Sequence, residues 1–98
     1  MKKNNYVIVR SAQAGVHAGY LVSCEDNTVT LKNARRLWCW VVKKMTGQLA
    51  SLSELAVYGV NSGDPRSRIA VEVPEITILG ACEIIPASPD AQKSIENA

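Results

Sequence analysis

The stretch VHAGYLVSCEDNTVTLK, residues 16–32, reads as two strands and the turn that joins them. In its first half Val16, Ala18, Tyr20, Val22 and Cys24 share one parity, while His17, Gly19, Leu21 and Ser23 share the other. One face is therefore clearly more apolar, and His17 falls on the more polar one, where a solvated or hydrogen-bonded surface histidine is expected. Gly19 marks a bend or bulge. Glu25, Asp26 and Asn27 supply a polar turn, after which Val29 and Leu31 alternate against Thr28, Thr30 and Lys32. This is the strongest hairpin signal in the chain.

Upstream, YVIVRS (6–11) has the β-branched density of a strand, and AQAG (12–15) offers the small residues of a tight turn. Downstream, NA (33–34) interrupts the pattern before RRLWCWVV (35–42). Here Arg35, Leu37, Cys39 and Val41 oppose Arg36, Trp38, Trp40 and Val42, so both faces are apolar beyond the arginines. Such a strand is expected to be covered on both sides, by a helix or by another subunit. KKMTGQ (43–48) reads as an exposed loop. Ser51 and Glu54 then form a capping box, Leu52, Leu55 and Ala56 share a face, and Gly59 suits a left-handed C-terminal cap. These signals predict a short helix near 52–58. NSGDPRSR (61–68) is a loop, IAVEV (69–73) a strand ended by Pro74, and ITILGACEIIP (76–86) a long strand kinked at Gly80. Beyond Pro86, SPDAQKSIEN (88–97) reads either as a helical turn started by Ser88 and Pro89 or as a loose tail.

The expected fold class is mainly β: a small, strongly bent antiparallel sheet, or an SH3/Sm-like barrel, of five to six strands with one short helix. Residues 1–5 form an N-terminal extension, 6–86 a single β-rich domain, and 87–98 a C-terminal tail or short helix.

Ninety-eight residues bury a core too small to be very stable alone, so a second copy or a bound partner would help it. The chain is 47% hydrophobic and 20% charged with mean hydropathy near zero, which fits a globular class. A net charge of +2 and a pI near 8.5 fall short of the balance that marks many duplex-DNA binders. Cys24, Cys39 and Cys82 are odd in number and lie far apart in apolar surroundings, a pattern of buried reduced thiols rather than a metal knuckle or disulfide framework. The apolar run in MKKNNYVIVR is four residues long, too short for a signal peptide core or a membrane span.

The single histidine has no carboxylate or nucleophile set beside it by any motif, the Cys and acidic residues are too scattered to demand a metal, and GVNSGDPRS lacks the lysine and spacing of a P-loop. No enzyme activity and no cofactor are expected. The remaining chemistry is cationic and aromatic. Guanidinium groups bind phosphate through paired hydrogen bonds, and aromatic faces stack on bases. Arg35, Arg36, Arg66 and Arg68 are the candidate anion ligands, with Tyr20, Trp38 and Trp40 as stacking platforms and Tyr58 as a further aromatic. Extended backbone sends Arg35 and Arg36 to opposite faces, so only one of them meets a given ligand from the same subunit. The competing reading makes both tryptophans core and the arginines edge or interface residues.

The blocks AGVHAGYL, LKNARRLWCW, SLSELAVYGV, ITILGACEIIP and AQKSI, spread from Tyr6 to Ile95, resemble a family of small bacteriophage proteins of about this length without an assigned function. Cys39 stands where the family's motif has tyrosine. The resemblance implies a phage origin and the host bacterial cytoplasm, and supplies no catalytic residue. VIVR followed by AGYLVSCEDNTVTLKNA is also similar to the opening strands of Sm-like barrels, which form RNA-binding rings. The expected function is a homo-oligomeric binding protein that sequesters a nucleotide or cyclic-nucleotide immune signal. The alternatives are a protein-interaction module acting on a host or defence protein, an RNA-binding ring, and a virion component. No membrane partner is expected.

Overall fold

Runs of β-branched residues broken by short polar turns draw the chain into one antiparallel sheet, seen here in a computed structural model that describes residues 5–42 and 51–98. Its elements are β1 (Tyr6–Ser11), β2 (Gly15–Glu25), β3 (Thr28–Cys39), α1 (Leu52–Tyr58), β4 (Arg68–Ile69), β5 (Val73–Leu79), β6 (Ala81–Pro86) and α2 (Pro89–Glu96). The mainly β class and the hairpin at residues 16–32 are as the sequence predicts. The loop expected at 43–48 and most of the N-terminal extension lie outside the described residues.

The strand order is β4-β3-β2-β1-β6, with β5 also paired to β3. β5 occupies residues 28–34 of β3 and β4 its end at Leu37 and Cys39. β5 and β6 thus pair at opposite ends of the sheet, yet only Gly80, with φ 71°, separates them. The sheet must therefore bend back on itself, the corner that the glycine predicts.

Residues 33–34 do not end a strand. Ala18 pairs with Arg35 and Tyr20 with Lys32, so two residues of β3 face Gly19 alone, and Asn33 takes φ 50°. This is a β-bulge. A Cβ on Gly19 would stand 3.0 Å from the Lys32 carbonyl oxygen and 3.1 Å from the Ala34 Cα, which explains the glycine. Nor does Pro74 end a strand: it lies inside β5 opposite the bulged Asn33, between the pairs Ala34–Val73 and Lys32–Glu75, where no ladder N–H is required.

Two clusters fill the two faces. Tyr6, Ile8, Ala18 and Leu37 pack under Leu55 and Ala56 of α1 and Ile95 of α2, while Val7, Val9, Val29, Leu31, Ala34 and Ile78 fill the inside of the bend. Because the bend buries the second face too, His17 is 1% exposed, against the solvated position expected from its parity. The thiols depart from expectation in the other direction: Cys24 and Cys82 are exposed and Cys39 is half-buried. Residues 22–25 of β2 are all exposed, and Cys24 goes with that outer end of the hairpin.

The C-terminal segment is a helix, not a loose tail. The Ser88 hydroxyl accepts from the Ala91 N–H at 3.0 Å, Pro89 opens the first turn, and Ala91 and Ile95 are fully buried. The capping box of α1 is formed, the Glu54 carboxylate accepting from the Ser51 N–H at 2.9 Å. Gly59 follows with φ 89° and ψ 174°, a positive-φ conformation that favours glycine but lies outside the left-handed helical region, and a Cβ there would fall 2.6 Å from the Ser94 Oγ of α2.

Tyr6 carries its hydroxyl into the first cluster with no hydrogen-bond partner among the described residues, and burial pushes its phenol pKa well above the ordinary value. Tyr6→Phe removes an unsatisfied polar atom and keeps the ring, which sits edge-on to Tyr20 with centroids 5.1 Å apart. The expected result in urea unfolding is unchanged stability or a gain of up to about 1 kcal/mol; a clear loss would mean that the hydroxyl has a partner.

Candidate functional site at the open end of the bend

β5 leaves β3 after Ala34, so the face inside the bend opens where β3 continues to Arg36 and Trp38. Arg36 pairs in register with His17 of β2, and its Nε donates to His17 Nε2 at 3.2 Å. Accepting at Nε2 leaves the ring proton on Nδ1, which is buried without a partner among the described residues. Burial, together with the neighbouring Arg36 charge, lowers the His17 pKa from 6.5 to about 4, so the imidazole is neutral at pH 7. The Arg36 guanidinium lies over the Trp38 ring, 5.3 Å from its centroid, a cation–π contact. Among the described residues no carboxylate pairs with Arg36; the ion pairs are Arg10–Glu83 and Arg66–Asp64.

Trp38 is 63% exposed. The sequence-based expectation that both faces of this strand are covered fails here within the single chain, because β5 has already departed. Two concavities flank the pair. One, of about 220 Å³, lies between Ala34, Ile76 and Val73 below and Arg36, Trp38 and Val71 at the rim, with His17 in its wall. The other, of about 360 Å³, runs between the β1–β2 turn at 12–15 and Trp40. Arg36 and Trp38 border both.

The other candidates have different duties. On the opposite face, Arg35 donates from Nε to the Ala70 carbonyl at 2.8 Å and from Nη1 to the carbonyls of Ile95 at 2.9 Å and Ala98 at 2.8 Å. It ties the end of α2 to the segment that walls the smaller cavity. Arg66 forms a two-pronged pair with Asp64, Nη2 to Oδ2 at 2.9 Å and Nε to Oδ1 at 3.1 Å, which holds the Asp64 carboxyl at about 2. Arg68 is exposed in β4 opposite Cys39. Tyr20 is not a free platform: its hydroxyl donates to Glu96 at 2.6 Å and accepts from Gln92 at 2.9 Å. Trp40 packs half-buried against the first cluster. Of the residues singled out by sequence, Arg36 and Trp38 border both cavities, Arg35 lines the smaller and Trp40 the larger, and the structure adds His17, whose polar parity gave no sign of burial.

Among the described residues no three His, Cys, Asp or Glu side chains gather to hold a metal, and no helix is long and apolar enough to cross a membrane. The described residues form a bent sheet with a cationic–aromatic rim at its open end. The chain belongs to DUF6948, a family defined by a domain of unknown function, whose model matches residues 4–95. No curated protein and no solved structure matches it.

Proposed function

We propose that this is a phage-encoded binding protein of the host cytoplasm that sequesters a nucleotide or cyclic-nucleotide immune signal at the Arg36–Trp38 rim. The observation that carries this reading is the half-buried Arg36, lying over an exposed indole without a carboxylate partner among the described residues. Its Nε is engaged by His17, leaving the two Nη groups as a fork for phosphate oxygens. Trp38 offers a flat apolar face for a base. Barrel mouths are common ligand sites for the same geometric reason: a rigid wall with an open top.

Self-association accompanies this reading. Trp38 and Val71, 63% and 78% exposed, border the same cavity and leave an apolar rim open to a partner. A second copy covering part of it would also close the rim.

The test is equilibrium dialysis against labelled mononucleotides and cyclic nucleotides with single variants. Arg36→Ala and Trp38→Ala are expected to weaken binding about tenfold or more each, the loss of a charge-assisted phosphate contact and of a stacked base. Arg68→Ala is expected to leave affinity unchanged. Binding that survives Arg36→Ala, or a folded wild-type chain that retains none of these nucleotides, would overturn the proposal.

A further inference from the structure

The two concavities differ from a single nucleotide pocket in shape and in charge. At about 220 and 360 Å³, one falls below and the other just above the low end of the roughly 300–1,000 Å³ typical of a ligand pocket, while together they fall well within it. They meet at Arg36 and Trp38, so a ligand filling both must cross that ridge. The smaller is walled chiefly by apolar side chains, Ala34, Ala70 and Ile76, and the larger mixes Ala12, Ala14 and Val16 with Gln13 of the β1–β2 turn. Apolar walls with a few polar groups accept bases, and apart from the arginines neither wall offers, among the described residues, a cation to a phosphate.

The cationic component is equally restricted. Arg35, the other arginine at the smaller cavity, already has three N–H groups on backbone carbonyls. Arg36 is therefore the one cation in these walls without such engagement of its Nη groups among the described residues. One guanidinium with open Nη groups makes one paired phosphate contact, which suits the single phosphate of a phosphodiester. The further phosphates of a nucleoside triphosphate would find no second such fork in an apolar setting, which is costly.

Resting on the proposed nucleotide reading, we infer that the ligand class is a phosphodiester-linked dinucleotide that straddles the ridge, one base in each concavity and the linking phosphate on Arg36. The free face of Trp38 stacks one base, and the larger groove beside Trp40 takes the other.

The experiment is isothermal titration of the wild-type chain with the dinucleoside monophosphates ApA, GpG and UpU, the matching nucleoside mono- and triphosphates, and the matching octanucleotides. For the preferred base, the dinucleotide is expected to bind about tenfold or more tighter than its monophosphate, the ratio supplied by a second stacked base. The triphosphate should bind no better than the monophosphate, and the octanucleotide no better than the dinucleotide. A monophosphate or triphosphate that matches the dinucleotide would overturn the two-base inference while leaving nucleotide binding intact. Affinity climbing with chain length would overturn it in favour of a single-stranded RNA track. If none of the probes binds, both the inference and the reading beneath it fail.

Discussion

Replacing Arg35 with alanine is expected to destabilise the protein by about 3 kcal/mol and to lower its melting temperature by roughly 12–24 °C, for a domain of this size. The side chain bridges three carbonyl oxygens that are distant in sequence, Ala70, Ile95 and Ala98. Ile95 lies in the last turn of α2 and Ala98 just beyond its cap, where a cation also opposes the negative end of the helix dipole. Removing the guanidinium leaves those carbonyls to water and releases both α2 and the segment between β4 and β5. Arg35→Lys keeps the charge but not the fork, and so is expected to recover only part of the loss. Thermal unfolding of the three chains by circular dichroism gives the answer. An Arg35→Ala chain as stable as wild type would mean that the burial of Ala91 and Ile95 and the hydrogen bonds of Gln92, Ser94 and Glu96 hold α2 without it.

The second large effect is an acid sensitivity carried by His17. Its pKa is lowered in the folded chain from 6.5 to about 4, so the unfolded chain binds a proton that the folded chain refuses. Stability from this source is fully present above pH 6.5, declines as pH falls toward 4, and levels off below that value. At 1.36 kcal/mol per pKa unit the loss amounts to about 3 kcal/mol. Carboxylates such as Glu54 and Asp64, whose pKa values are also lowered, add their own losses at acidic pH, so the comparison must remove His17 alone. His17→Gln cannot titrate, and its amide oxygen can still accept from Arg36. Urea unfolding at pH 7.5, 6, 5 and 4 is expected to show the wild-type chain losing about 3 kcal/mol relative to this variant across the series. Parallel curves would show that His17 is solvated in the folded protein.

His17 also shows how far the sequence could be read. β-Branched density located β1, and period-two alternation located β2 and the hairpin, since each depends on neighbours a few residues apart. Gly19 and Gly80 announced the bulge and the corner, because close backbone approach and positive φ exclude other residues there. The capping box marked α1 for the same local reason. What alternation could not convey is that the sheet bends back and buries both faces, which turned a nominally polar histidine into a core residue. Residues 33–34 looked like a break because a bulge and a strand end share the same residue types. Pro74 looked like a terminus because its tolerance depends on the unpaired position opposite, a fact of the partner strand.

The site was legible as a composition and not as a geometry. Four arginines and three aromatics were credible on chemistry alone. Tertiary structure separates them: Arg35 serves a helix end, Arg66 an aspartate, and Tyr20 a glutamate and a glutamine. Arg36 and Trp38 remain, two residues apart on one side of β3, as extended backbone requires. The exposure of Trp38 follows from where β5 departs, and that register lies some forty residues further along the chain.

The most direct measurement is native mass spectrometry of the wild-type chain and of Arg36→Ala after incubation with nucleotide extracts from bacteria whose nucleotide-based defences are active, followed by heat release and identification of the small molecules. The expected result is an intact nucleotide at a fixed ratio to an oligomer of the wild-type chain, and its absence from Arg36→Ala. A folded wild-type chain that carries no nucleotide, or an Arg36→Ala chain that carries as much, would contradict it.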